Sequence, residues 1–338
     1  MYIKKLLILT IVLVLALGLF GCKAIDTMKD LITKEEPEIE IIRSDEDANI
    51  MDDSNLRNTV LYYQNENGYL VPVKRRIPWE EGIAKAALTN IMDSPTIRED
   101  ISSIGLKPLI PAGTEIIGMS IDQDTGLCKV DFNSQIMNTQ SKKDEENMVK
   151  GVVYTLTEFS NINEVQFMVD GKIVSELKYG TKVQKPLARA DINVVEDISD
   201  GVSKVTVYYK GTSNGEYEYY VPVTVPTSAT SANVLTSLEV LFEGAPELSG
   251  LYTDIPDGVE FQGVEVYNGV AYVDILSYDF DILSDQTVFN KMTKNIGLTL
   301  KEFPEIEYVE ILFDGKTIEE AGLELEAQET VPTFANEY

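Results

Sequence analysis

Few residues of this 338-residue chain can do chemistry, because it holds no histidine and only two cysteines. Without imidazole there is no Ser-His-Asp or Cys-His nucleophile and no imidazole metal ligand. Carboxylates, lysine, tyrosine and serine remain. Glu158 and Glu302, with Asp170 and Asp314, recur at matching places of an internal repeat and are the candidates for general acid and base. Such a pair needs ~5–10 Å between its members and a cleft around them. Each has a plainer use: the glutamates close a helix and the aspartates open Asp-Gly turns. Asp122-Gln123-Asp124-Thr125-Gly126 starts like a calcium loop but lacks a third acidic position and a downstream glutamate at the right spacing. The second copy has Asn268-Gly269 there, so a turn is expected. Trp79 is a single aromatic at a helix start, with Thr227 at the matching site; alone it makes no sugar platform. No Gly-rich phosphate loop is present. The reading is a chain with no catalytic residue, no cofactor and no metal site.

Cys22 is the exception. Lys4 and Lys5 precede the apolar run Leu6 to Phe20, and Leu19-Phe20-Gly21-Cys22 puts a small residue directly before a cysteine. A charged start, a short apolar core and a small residue at the cut make residues 1–21 a secretory signal cleaved between Gly21 and Cys22. The apolar core is about 15 residues, short of the ~20 that a helix needs to cross hydrocarbon. The four residues resemble a bacterial lipobox. That resemblance implies lipid on Cys22 and anchorage at the outer, extracytoplasmic face of the cell membrane, where two acyl chains hold stably and one is marginal. Cys128 is then left without a partner. It alternates with Val130 and Phe132 where the second copy has Ala271, Val273 and Ile275, the pattern of a small buried thiol.

Acidic residues outnumber basic ones 56 to 28, a net charge of −28. A surface of this sign is repelled by anionic headgroups and by nucleic acid, so nucleic-acid binding is excluded. The expected partners are the membrane, through lipid on Cys22, and envelope proteins or further copies of the chain; no small-molecule substrate is evident. Residues 22–56 are acidic and poor in aromatics, a solvated tether. Beyond it the same unit occurs twice. Thr59-Val60-Leu61-Tyr62-Tyr63 recurs as Val205-Thr206-Val207-Tyr208-Tyr209, Leu70-Val71-Pro72-Val73 as Tyr220-Val221-Pro222-Val223, and Ile110-Pro111-Ala112-Gly113 as Ile255-Pro256-Asp257-Gly258. The longest match runs from Thr155-Leu156-Thr157-Glu158-Phe159 to Asp170-Gly171-Lys172, repeated from Thr299 to Lys316. Domains are expected at 57–185 and 202–325, with a linker at 186–201 and a polar tail at 326–338.

The elements that must position these residues follow from periodicity. Each copy opens with a Tyr-rich strand and a Val-Pro-Val strand, joined through Asn67-Gly68 or Asn214-Gly215. A helix follows. In copy two Val234, Leu235, Leu238, Leu241 and Phe242 share one face, and Gly244 stops it; Ala84, Ala87, Leu88 and Ile91 do the same more weakly in copy one. Val264 to Ile275 turn through Asn268-Gly269, a strong hairpin signal. Met148, Val152, Leu156 and Phe159, matched by Met292, Ile296, Leu300 and Phe303, mark a second helix, and a last strand ends in Asp-Gly. The fold class is α+β: two duplicated small domains, each ββαββαβ with helices on one face of a small sheet.

This succession of Tyr-Tyr strand, Val-Pro, Ile-Pro-x-Gly, Val-Asp, Leu-x-Glu-Phe and Asp-Gly-Lys resembles the GerMN domain. The whole arrangement of lipobox, tether and two copies is similar to the GerM family of sporulation and germination lipoproteins. The resemblance implies a non-enzymatic protein, domains like the ring-building motifs of secretion-type assemblies, and a role in protein assembly at the envelope. Two other readings stay open: a carboxylate-dependent hydrolase of wall polymers, which would release fragments from peptidoglycan, and a ligand-binding envelope lipoprotein, which would show saturable binding.

Overall fold

A computed structural model describes residues 56–78, 82–195, 202–278, 280–326 and 330–337. Gly21, Cys22, nearly all of the tether, Trp79 and the acidic run Glu196–Asp200 lie outside the described residues.

Copy one opens with the antiparallel hairpin β1 (Leu56–Asn65) and β2 (Leu70–Pro78). Helices α1 (Ile83–Thr89) and α2 (Pro95–Ser102) follow, and the short β3 (Leu106–Lys107) adds to β1. A second hairpin, β4 (Ile116–Asp122) and β5 (Leu127–Phe132), leads through helix α3 (Lys142–Leu156) to β6 (Glu164–Val169), which runs parallel to β5. Copy two repeats the plan. Hairpin β7 (Lys204–Ser213) and β8 (Tyr217–Pro226) precedes α4 (Val234–Glu243), then β9 (Val259–Tyr267) and β10 (Val270–Ser277). The short α5 (Phe280–Leu283), α6 (Gln286–Leu300) and β11 (Tyr308–Phe313) complete it. The α+β class and the duplication are as the sequence implies. Helix α2 is an addition without a periodic signal; Ser94 caps it by accepting from the Ile97 amide at 3.2 Å, and Pro95 opens it.

The strands of each copy form two small sheets rather than one, β2-β1-β3 with β4-β5-β6, and β7-β8 with β11-β10-β9. The cause lies at the edges of the opening hairpins. The Tyr62 amide donates to Thr155 Oγ1 of α3, and the Tyr208 amide to Thr299 Oγ1 of α6, each at 3.2 Å. Beyond the Gln64–Asn65 end of β1, which pairs β3, those strands therefore spend that edge on a helix, and α3 and α6 pack against both sheets of their copy. The helix faces read from the sequence fill the core: Met148, Val152, Leu156 and Phe159, and Met292, Ile296 and Leu300, are fully buried.

Both edge strands carry a bulge at the same place. Ile117 in β4 and Gln262 in β9 are extra residues just before Gly118 and Gly263. A bulged edge is a poor template for further strand pairing. The Asn268-Gly269 turn has both residues at positive φ, 50° and 81°, as this tight hairpin demands.

Candidate functional site

The two copies belong to one compact unit, and their most elaborate chemistry lies where they meet. The outward edges of β2 and β8 face each other across a seam. Each carries a proline there, Pro72 and Pro222, which has no N–H to leave unpaired. Asn193, in the stretch that follows copy one, takes the Leu70 amide on its side-chain oxygen at 2.7 Å and donates to the carbonyls of Leu70 and Pro222, each at 2.8 Å. Asn336 mirrors it: it accepts from the Tyr220 amide at 2.8 Å and donates to the carbonyls of Tyr220 and Pro72, each at 2.8 Å. Each asparagine clips its own copy to the other.

The neighbouring backbone continues the exchange. Thr224 donates its amide to the Ile192 carbonyl at 2.9 Å, and Ile192 donates to Thr224 Oγ1 at 2.9 Å. Lys74 donates its amide to the Asn336 carbonyl at 2.7 Å. The described parts of residues 186–201 and 326–338 pack against the copies. Ile192, Asn193, Ala335 and Asn336 are all buried. Ile192 packs with Tyr62, Leu70, Leu109 and Tyr154, and Ala335 with Tyr208, Tyr220 and Leu298.

The repeated glutamates are placed alike, each against a tyrosine of its own copy. The Tyr62 hydroxyl donates to Glu158 Oε1 and the Tyr208 hydroxyl to Glu302 Oε1, each at 3.4 Å. Arg189 forms an ion pair with Glu158, donates to Thr157 Oγ1 at 2.9 Å, and lies over the Tyr154 ring at 4.8 Å. The second copy reads Pro332-Thr333 at the matching place and supplies no guanidinium. Lys301, beside Glu302, donates to the Thr333 carbonyl. Glu302, unlike Glu158, is an exposed residue; partial desolvation by the protein around its carboxyl raises it above its ordinary value, Arg189 and Lys301 oppose this, and the Glu158 charge adds to it. Burial and Glu158 likewise push the Tyr62 hydroxyl far up, and burial and Glu302 do so for Tyr208.

The aspartates are placed elsewhere and do not join the glutamates. Asp170 and Asp314 occupy positive-φ positions, 48° and 51°, each followed by a positive-φ glycine. Their turns close as Val169 donates to the Lys172 carbonyl at 2.8 Å and Phe313 to the Lys316 carbonyl at 2.7 Å. Asp131 and Asp274, the aspartates of the repeated Val-Asp pair, hold these turns by accepting from the Gly171 and Gly315 amides at 2.9 Å. Asp122 makes an Asx turn, taking the Asp124 and Thr125 amides on Oδ1 at 3.0 Å. Hydrogen bonds from Thr125 and Asp124 hold its carboxyl below the ordinary value. Among the described residues no cluster of acidic or sulfur ligands could hold a metal ion. Cys128 is fully buried, and burial pushes its thiol up to about 12.

Sequence reasoning also missed Glu145, a buried carboxylate whose oxygens take the Tyr179 amide at 2.8 Å and the Thr181 amide at 3.0 Å. Copy two has Phe289 at this place, stacked on Phe313 with centroids 6.4 Å apart. The copies differ outside as well. The open face of β9-β10-β11 presents Tyr267, Tyr272 and Glu265 around a depression of about 470 Å³, with Tyr267 64% exposed. Copy one has Asp122, Lys129 and Ser120 at those register positions.

A tandem pair of like α+β domains, each handing the other a clip from the stretch that follows it, defines the class: a duplicated two-domain protein built as one body. The family described as Germane, Sporulation and spore germination, matches residues 60–175 and 206–319. The chain belongs to that family. It is 30% identical over 288 residues to the Spore germination protein GerM of Bacillus subtilis (strain 168), covering 82% of this chain and 77% of the relative. The solved tandem GerMN domains of the sporulation protein GerM from Bacillus subtilis superpose with a TM-score of 0.70 at 28% identity, over 83% of this chain and 99% of that one.

Proposed function

We propose that this is a non-catalytic lipoprotein, anchored through Cys22 at the extracytoplasmic face of the cell membrane, whose paired domains serve protein assembly in the envelope during sporulation or germination. Membership of the family and the names of its relatives support the process. One observation carries the non-catalytic reading: each repeated glutamate accepts from a tyrosine of its own copy, and Glu158 is also ion-paired to Arg189. Glu158, with its side chain 8% exposed and ion-paired to Arg189, is in no position to meet a polymer substrate. The repeated aspartates are turn residues at positive φ. Partners are envelope proteins or further copies of the chain, and the exposed tyrosines of copy two suit contact with protein.

Among the described residues no helix is long and apolar enough to cross a membrane; the proposed attachment rests on the lipobox-like Leu19-Phe20-Gly21-Cys22. The test replaces the native gene by Cys22→Ala. The variant is expected to lose acyl labelling, leave the membrane fraction, and lower the count of heat-resistant spores as far as deletion does. Retention of the variant in salt-washed membranes would refute the anchor; an unchanged spore count after deletion, with germination intact, would refute the process.

A further inference from the structure

The groove between the second long helix and the last strand is closed in copy one and open in copy two. In copy one the hairpin of residues 175–183 lies across α3 and β6. Glu145 of α3 accepts from the Tyr179 and Thr181 amides, and Gln166 of β6, itself buried, donates to the Val183 carbonyl at 3.0 Å. Held in this way, Leu177 and Val183 of the hairpin are buried. Copy two lacks both clamps. Phe289 stands where Glu145 does, and Glu310 takes the register position of Gln166 with no side-chain N–H to offer. There α6, β11 and the stretch 317–326 line a cavity of about 600 Å³. Phe289 and Ile311 are its buried floor, and Leu323 and Leu325 reach only half burial.

The rim of this groove is acidic. Glu310, Glu319, Glu324 and Glu326 line it, with no lysine or arginine beside them. Among the described residues none of the four is ion-paired. The stretch Leu323-Glu324-Leu325-Glu326 alternates half-buried leucine with exposed glutamate, the period of an extended chain. A second extended chain beside it gains most when its apolar side chains meet the floor and the alternate ones are cationic, since opposite charges side by side attract and like charges repel. A further copy of this chain, at a net charge of −28, is repelled.

We propose that the α6–β11 groove of copy two docks an extended segment of a partner protein in which apolar residues alternate with lysine or arginine. This deepens the reading of the paired domains as an assembly protein and rests on it for the class of partner. Copy one, whose groove its own hairpin fills, leaves the role to copy two.

The test adds a fluorescein-labelled hexapeptide of alternating leucine and lysine to the purified full chain, and reads anisotropy together with methyl NMR shifts. Saturable binding is expected, with the shifts concentrated at Ile311, Ile318, Leu323 and Leu325. Raising salt from about 0.05 to about 0.5 M is expected to weaken it about tenfold. The same peptide with glutamate in place of lysine is expected not to bind. Glu324→Lys combined with Glu326→Lys is expected to weaken the lysine peptide by about tenfold or more and to admit the glutamate peptide. Glu239→Lys combined with Glu247→Lys, the same change of charge away from the groove, is expected to alter binding less than about twofold. No binding by the wild-type chain, or shifts spread over other acidic faces, overturns the proposal, and both readings need no variant to fold. Movement of the same methyls with protein concentration alone also overturns it, since the occupant is then a second copy. If the peptide fails to bind while the Cys22→Ala and deletion results hold, the groove reading falls and the assembly reading stands.

Discussion

Asn193 and Asn336 do, with one side chain each, what a hydrogen-bonded strand pair would do between two sheets. Each satisfies a backbone donor and two carbonyls that would otherwise be buried unpaired. Truncating such a group leaves the backbone partners desolvated, at about 1–3 kcal/mol for each unsatisfied group. Asn193→Ala is therefore expected to lower stability by roughly 2–4 kcal/mol in urea titration, and Asn336→Ala by a similar amount, since the two sites are near mirror images. Neither residue was visible in the sequence reading. An asparagine in a Pro-containing stretch has no periodic neighbours, and its partners lie 123 residues away in one case and 264 in the other. Cys128 was legible, because alternation along its strand and the alanine at the matching place both fix its direction.

At the level of the element, what could be read was whatever repeats locally. The Asn268-Gly269 hairpin, the α4 face with its Gly244 stop and the matched helices α3 and α6 all follow from residues within a turn or two of each other. The division of strands between sheets does not, since it depends on Thr155 and Thr299 reaching back to β1 and β7. The bulges at Ile117 and Gln262 were equally hidden, although the glycine after each is repeated. The Asp-Gly turns allow a direct test of element geometry. Gly315 has φ 73° after Asp314 at 51°, and a side chain there is strained although space is open around it. Gly315→Ala is expected to cost about 1 kcal/mol in thermal or urea unfolding, whereas Asp314→Asn, which also tolerates positive φ, is expected to change little. In α3 the constraint is closeness rather than φ: a methyl on Gly151 would meet Leu109 at 2.1 Å.

For the whole molecule, the consequence of the two crossed straps, the stretches after each copy that carry Asn193 and Asn336, is that neither copy is finished by its own residues. The outward edge of β2 is covered by Asn193 and, from far along the chain, by Asn336 and Glu337. Removing residues 332–338 is expected to expose that edge. Amide exchange at Lys74 should rise sharply, with a smaller rise along β1, while the core of β9-β10-β11 stays protected. Equal loss of protection throughout both copies would mean that the straps are not local clips but part of a single cooperative core.

That crossing also orders events in time. A chain made from its amino end releases Pro72 long before Asn336, which lies 264 residues later. Contacts of such separation form late because the loop must close first. The first copy therefore waits with an open flank until the last stretch arrives, and a chain cut short in synthesis or clipped near residue 335 would keep that flank unsealed for a protease to find.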